Sequence, residues 1–268
     1  MRDVTSDLDY VAYLTRESRR FADAIRSAAP DAPVPSTPGW NADDLLWHLG
    51  ETQWFWAAIV REDVTGEQAE ELKPPRPSDH AGLLAFFERA SHGLAEILAV
   101  TPPESAAWTW SDDQSVAFIR RRQAHEALIH RVDAELTAGL RTPLDPALAA
   151  DGVDEALHVM YGGVPDWGTF APDDAGLVVR LRATDTGASW FVTLGRFIGT
   201  DSDGTSYDEP DIRPADNDPG AAAAAEVAGA AADLDCWMWH RPPMGPVDRS
   251  GDQQALDRFD AAIAPGIS

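Results

Sequence analysis

The sequence predicts a multi-domain protein of mixed class, with an N-terminal four-helix bundle followed by a small α+β domain. Long amphipathic stretches separated by proline-rich breaks fill the first half. Alternating β-branched stretches begin only after Gly176. A chain of 268 residues is also near the length at which one hydrophobic core gives way to two. The segment "YGGVPDWG" is the predicted hinge, which places the domains at residues 1–165 and 166–268.

The N-terminal half is predicted to contain four long helices and a shorter one. The first break, "APDAPVPSTPGW", contains four prolines, and Asn41 directly after it is a favourable N-cap. The second break, "KPPRPSD", offers Ser78 or Asp79 as the next cap. The predicted helices span about residues 4–28, 41–61, 79–99, 113–139 and 146–160. Long helices joined by proline-marked loops indicate a bundle.

The C-terminal part is predicted to begin with a β-hairpin. "LVVRLRAT" and "SWFVTLGRFIG" alternate in hydrophobicity on either side of a "DTGA" turn. The acidic segment 201–220 is predicted to be a solvated loop, because Asp201 and Asp203 match only part of a calcium-binding pattern. After an alanine-rich piece that fits no pattern, we expect a helix at 231–240, a short strand in "VDRSGD" and a helix in "QALDRFDAAI".

The composition excludes several classes of function. The net charge is −24, from 45 acids against 21 bases, which argues against nucleic acid or anionic membrane as a partner. No apolar run has the length of a membrane span, and the N-terminus lacks the features of a signal peptide, so a cytoplasmic location is expected. Cys236 is the single cysteine, which excludes internal disulfides and cysteine-rich zinc sites. Thiol chemistry would need a thiol from outside the chain.

The motif "HEALIHR" brings ionisable groups to one helix face. Glu126 and His130 are four residues apart, so a helix places one a turn above the other. His48 lies on the inward face of the second helix, and His130, Glu126 and His48 together would match a three-ligand catalytic zinc site. The alternative is an ordinary polar core, because Glu-x-x-x-His is common by chance. His125 is predicted to be structural or supporting.

Two longer segments carry a resemblance to a known family. "TPGWNADDLLWHLGETQWFW" (37–56) and "RRQAHEALIHRVDAEL" (121–136) resemble the mycothiol-dependent maleylpyruvate isomerase family, part of a larger DinB-like helical superfamily. "LRATDTGASWFVTL", "LDCWMWHRPP" and "SGDQQALDRF" are similar to its C-terminal domain, an α+β module of sterol-carrier type. The resemblance therefore covers essentially the whole chain.

The resemblance implies a metal centre and a cosubstrate. Position by position, the metal ligands of the family correspond to His48, Glu126 and His130, the metal is expected to be divalent zinc, and mycothiol is expected as the thiol. Arg241 corresponds to an arginine near the active site, although the family more usually has glycine where this chain has His240. Thr52 and Asp133 are candidates to support the ligands.

Three functions stay open at this point. The first is a mycothiol-dependent enzyme acting on an electrophilic small molecule, either a cis–trans isomerase or a thiol S-transferase. The second is a metal-dependent hydrolase of the same superfamily, with water in place of the thiol. The third is a non-catalytic protein that binds a small ligand.

Overall fold

The chain forms two compact units. The computed structural model describes residues 8–173, 176–215 and 222–267. The first unit comprises residues 8–143 and the second begins at Leu144. Within the described ranges, neither unit contains a helix with both the length and the apolar character that crossing a bilayer requires.

Five helices make up the first unit within the described residues. They are α1 (Tyr10–Ile25), α2 (Ala42–Glu62), α3 (Gly66–Leu72), α4 (His80–Val100) and α5 (Val116–Thr137). The four long helices confirm the predicted bundle, although the predicted start of the first at residue 4 lies outside the described residues. Asn41 and Asp79 are N-caps as expected, since their side chains accept from the amides of Asp44 and Gly82. The short α3 was not predicted.

A mixed sheet with helices makes up the second unit. Its elements are α6 (Pro146–Glu155), a π-helical segment (Ala156–Tyr161), β1 (Gly168–Pro172), β2 (Val178–Ala183), β3 (Ser189–Thr200), β4 (Ser206–Pro214), β5 (Ala225–Gly229), α7 (Ala231–Met238), β6 (Asp248–Gly251) and α8 (Gln253–Ile263). The hairpin β2–β3, the short strand β6 and the helices α7 and α8 confirm the sequence predictions. The described part of the second unit therefore has both α and β structure, as expected.

The long strand β3 organises the sheet. Along one edge of β3, β2 pairs with residues 189–193 and β1 with residues 195–199. Strand β4 pairs along the other edge, and all three pairings are antiparallel. The sheet continues from β2 to β5 in parallel and from β5 to β6 antiparallel. Helix α8 packs against β2, β3, β4 and β5, where Phe259 is fully buried. The core of this unit therefore lies between α8 and one face of the sheet.

The predicted loop over 201–220 was wrong for residues 206–214, which form β4. Pro210 lies inside this strand, where proline is tolerated because β4 pairs only with β3 among the described strands. Asp201 accepts hydrogen bonds from the amides of Asp203 (3.0 Å) and Thr205 (2.9 Å) and from the Tyr207 hydroxyl (3.0 Å). Both oxygens of the Asp201 carboxylate therefore accept hydrogen bonds from residues close by in the sequence. Residues 216–220 of the predicted loop lie outside the described residues.

Helix α6 belongs to the second compact unit, which begins earlier in the chain than the predicted boundary at 165/166. A Cβ atom on Gly152 would lie 2.7 Å from Asp235 Oδ1, so the absence of a side chain lets α6 approach α7 closely. Trp190 Nε1 of β3 donates to Asp154 Oδ2 of α6 at 3.2 Å. These contacts attach α6 to the sheet domain.

A buried ion network fixes α5 in the helical unit. Arg131 has no exposed side-chain surface, and it donates to Glu17 Oε2 of α1 at 2.7 Å and to Glu135 Oε1 at 2.8 Å. Its Nη2 also donates to the carbonyl oxygen of Thr142, in the segment after α5, at 2.9 Å. A buried guanidinium is tolerated only when its donors are satisfied in this way. Arg131 therefore ties α5 to α1 and to the end of the unit.

We expect Arg131→Met to destabilise the helical unit by about 3–5 kcal/mol, because it removes the buried guanidinium that Glu17 and Glu135 share and leaves Glu17 with only the half-exposed Arg16. Urea unfolding of the whole chain, followed by far-ultraviolet circular dichroism, measures the change. Arg19→Met is the matched control, since Arg19 is an exposed arginine of α1, and it should change the free energy of unfolding by less than about 0.5 kcal/mol. A loss below about 1 kcal/mol for Arg131→Met would contradict the assigned role of the network.

Candidate metal centre

Helices α2 and α5 bring His48, Glu126 and His130 together. Glu126 and His130 lie one turn apart on α5, and His48 lies in the first half of α2. A capping box between Asn41 and Asp44 fixes the start of α2, two turns before His48. Each of the three residues offers one ligand atom, and these atoms all lie within 4.8 Å of one another. The three predicted ligands are therefore neighbours in space.

The carboxylate lies between the two imidazoles. Glu126 Oε1 is 3.3 Å from His48 Nε2 and 3.1 Å from His130 Nε2. The side chains of His130 and Glu126 are 10% and 15% exposed, whereas that of His48 is 32% exposed, so the cluster opens on the His48 side. Two imidazole nitrogens and one carboxylate oxygen are a ligand set that zinc enzymes use with one position left for a substrate. The residues present therefore fit a divalent metal ion.

Asp133 and Ser36 support His130. Asp133 Oδ2 lies 2.9 Å from His130 Nδ1, and the Ser36 hydroxyl donates to Asp133 Oδ1 at 2.5 Å. This is the pattern in which a carboxylate orients a metal-binding histidine. The expected supporting role of Asp133 thus has a structural basis. Thr52, the other candidate, makes no hydrogen bond to His48 within the described residues.

Arg122 contacts the second oxygen of Glu126. Its Nη2 donates to Glu126 Oε2 at 2.8 Å, and its side chain is only 4% exposed. The guanidinium therefore leaves Oε1 as the oxygen that faces the histidines. Sequence reasoning missed both Arg122 and Ser36. The spacing of four residues between Arg122 and Glu126 was the available signal for the first, whereas Ser36 comes from a distant loop.

The protonation states of His130 and Glu126 depend on each other. Burial lowers the pKa of His130, but the Glu126 carboxylate and the hydrogen bonds to Asp133 and Glu126 outweigh it and raise the pKa to about 9. Burial disfavours the charged form of Glu126 and so raises its pKa. His130, His48 and Arg122 outweigh this effect and hold the pKa of Glu126 well below its usual range. Both shifts favour an ionised Glu126 beside a protonated His130, and His130 would have to lose the proton on Nε2 to serve as a ligand.

The remaining histidines lie outside the cluster. His125 is buried and meets the Tyr10 ring edge-on, with centroids 6.3 Å apart, so it is a core residue and not a member of the triad. Three of the other four, outside the cluster as expected, each lie near an acidic residue. These pairs are His80 with Asp43 (2.6 Å), His92 with Glu96 (3.1 Å) and His158 with Asp154 (3.5 Å).

Arg241 lies at the C-terminal end of α7. Its Nη1 donates to the Trp239 carbonyl at 2.6 Å and its amide to the Cys236 carbonyl at 2.7 Å, so it satisfies the end of the helix. The preceding residue, His240, has φ = 58°, a left-handed conformation that glycine adopts most easily. Position 240 therefore has a backbone conformation that suits glycine, although the residue there is a histidine. Cys236 is buried in α7, as expected for a packing residue.

Comparisons with known proteins agree with this architecture. Residues 11–135 match the mycothiol maleylpyruvate isomerase N-terminal domain, and residues 147–258 match the C-terminal domain of the same family. No curated protein sequence matches the chain significantly.

Two solved structures share the fold. They are a mycothiol-dependent maleylpyruvate isomerase (TM-score 0.57) and a histidine-to-alanine mutant of that enzyme (TM-score 0.56). Each is 12% identical to this chain, over 91% of this chain and 93% of the other. Because the two family domains together account for most of the sequence in the expected order, the chain belongs to the mycothiol maleylpyruvate isomerase family.

Proposed function

We propose that the chain is a metalloenzyme that uses a zinc-type divalent ion and mycothiol to act on an electrophilic unsaturated acid. The reaction is either a cis–trans isomerisation or a thiol transfer. The observation that carries the proposal is the convergence of His48, Glu126 and His130, whose ligand atoms all lie within 4.8 Å of one another, with His48 partly exposed. Membership of the family supports mycothiol as the cosubstrate.

The proposed ligands are His48, Glu126 and His130. Bound there, the ion would lower the pKa of a thiol so that the thiolate is present near neutral pH. The chain's own thiol does not serve this purpose, because Cys236 is 3% exposed within α7. The reacting sulfur therefore comes from a small molecule.

The protein's residues prepare this site in distinct ways. Asp133 would hold the proton at His130 Nδ1 and so keep Nε2 available as a ligand. Arg122 neutralises one oxygen of Glu126 and fixes the carboxylate in a single orientation. His48, the most exposed member of the triad, borders the side from which substrate and thiol approach.

The proposed chemistry has two outcomes from one addition. The thiolate sulfur forms a bond to an alkene carbon, and the alkene electron pair moves onto the conjugated carbonyl. Rotation about the new single bond, followed by return of the electron pair and departure of the thiolate, gives the other alkene isomer. If the α-carbon of this enolate takes up a proton, equivalent to the one that the thiol lost on ionisation, before the sulfur leaves, the product is a stable thioether.

We expect His48→Ala to remove the metal. Purified wild-type protein loaded with zinc should hold near one ion per chain by elemental mass spectrometry, and the variant should bind zinc at least about tenfold more weakly. His92→Ala is the matched control, because His92 is 74% exposed and contacts only Glu96 among the ion pairs of the described residues. Retention of wild-type zinc affinity by His48→Ala would show that His48 is not a ligand and would overturn the assigned ligand set.

Incubation of the zinc-loaded chain with mycothiol and maleylpyruvate separates the two reactions. We expect nuclear magnetic resonance to detect either a change of double-bond geometry with no net consumption of thiol, or a stable thioether. The first result identifies an isomerase and the second a transferase. Zinc-free His48→Ala is the control and should do neither. If the zinc-loaded protein leaves this and other unsaturated acids unchanged, the thiol proposal fails and hydrolysis or simple ligand binding replaces it.

We propose further that Arg241 binds the substrate carboxylate or the enolate charge. Arg241→Lys keeps the charge but loses the planar fork that grips a carboxylate. Turnover in the assay above should fall at least about tenfold with zinc content unchanged. A role limited to capping α7 would instead lower the melting temperature and leave turnover intact, and that result would contradict the proposal.

A further inference from the structure

A cavity lies between α2 and α4, apart from the metal cluster. Its volume is about 380 Å³, which lies in the range of small-ligand sites. Its lining includes Trp54, Arg61, Pro74, Phe86, Arg89 and Gly93, together with two alanines. None of the proposed metal ligands belongs to this lining. His48 on α2 contacts Glu126 of α5, whereas this groove opens towards α4.

The groove combines an apolar floor with two cations. Phe86 and the two alanines are buried, and Trp54 is half-buried at the wall. Although the chain has more than twice as many acids as bases, none of the described residues that line the groove is acidic. The local charge is therefore opposite in sign to that of the whole protein. Such a lining favours an anion that has a flat apolar body.

Arg61 is held in place at the groove. Its Nη2 donates to the Gly93 carbonyl at 3.3 Å. A Cβ atom at position 93 would lie 3.2 Å from the same Nη2, so glycine gives the guanidinium room to lie against α4. The contact is to a neutral carbonyl and leaves the positive charge of Arg61 uncompensated by any carboxylate within the described residues.

Arg89 has no carboxylate partner in the described part of the chain. Neighbouring cations do have such partners: Arg76 lies 2.8 Å from Asp44, and Lys73 lies 2.7 Å from Glu70. Unlike these neighbours, the two arginines of the groove have no carboxylate partner among the described residues. Two guanidinium groups beside an aromatic wall are suited to bind a carboxylate together with a planar ring.

We propose that the groove between α2 and α4 is a binding site for a small planar carboxylate. Arg61 and Arg89 bind the carboxylate, and Trp54 and Phe86 contact the ring. The site is independent of the proposed metal chemistry, because it shares no side chain with the triad.

Benzoate is the probe, titrated into zinc-loaded, ¹⁵N-labelled protein. The indole resonances of the ten tryptophans are observed, and Trp54→Phe and Trp40→Phe assign the two that matter. Trp54 reports on the groove, and Trp40 reports on the metal cluster because its ring lies 4.9 Å from that of His48. We expect benzoate to move the Trp54 resonance saturably.

The double variant Arg61→Gln/Arg89→Gln should weaken this Trp54 response at least about tenfold. Arg19→Gln, at an exposed arginine of α1, should leave it unchanged. Benzamide, the neutral isostere, should bind at least about tenfold more weakly than benzoate. The proposal is overturned if the Trp54 resonance does not respond, if benzamide moves it as well as benzoate does, or if the double variant binds as the wild type does. A response at Trp40 alone also overturns it, since benzoate then binds only at the metal cluster.

Discussion

The rotation of α5 about its axis is the constraint on which the candidate site depends. Glu126 and His130 meet His48 only if their face of α5 is turned towards α2. Arg131 and Glu135 lie on nearly the opposite face of the same helix, where Arg131 is bonded to the buried Glu17 of α1. A small rotation of α5 would separate a buried cation from its carboxylates, which is strongly unfavourable. The ion network on one side of the helix therefore sets the position of the ligands on the other.

The parts of the fold that local signals determine were predictable. Four long helices follow from periodicity and from caps such as Asn41 and Asp79, and the β2–β3 hairpin follows from alternation around a short turn. Strands β1 and β5 were missed because they pair with strands that are distant in the sequence, β1 with β3 and β5 with β2. Strand β4 follows β3 directly through the turn 201–205 and was missed because of its composition. The segment 206–214 is acidic and contains prolines, and it becomes a strand only because β3 extends far enough to pair with it. Strand β5 is short and rich in alanine and pairs in parallel with β2.

The site was predictable to a similar degree. The four-residue spacing brings Glu126 beside His130 without knowledge of the fold, and Asp133 follows from the same helix. That His48 completes the cluster depends on how α2 packs on α5, which the sequence alone left open between a ligand set and a polar core. Ser36 could not be found, because it reaches Asp133 from a loop 97 residues away. Contacts within a helix are thus read from spacing, whereas contacts between elements need the fold.

The charged residues that contact the triad bear on the proposed binding of a thiolate. In the described part of the chain, the charged side chains paired with the triad are Arg122, with Glu126, and Asp133, with His130. With both histidines neutral, the formal charges of Glu126, Asp133 and Arg122 sum to one negative charge. A divalent ion would reverse this to one positive charge, and a single thiolate would then make the assembly neutral. Because an uncompensated charge is unfavourable in a partly buried site, this sum supports the proposal of an anionic sulfur over a neutral ligand. Arg122 is necessary for this balance: without it, the bound ion would already be neutralised by the two carboxylates, and the electrostatic attraction for a thiolate would be lost.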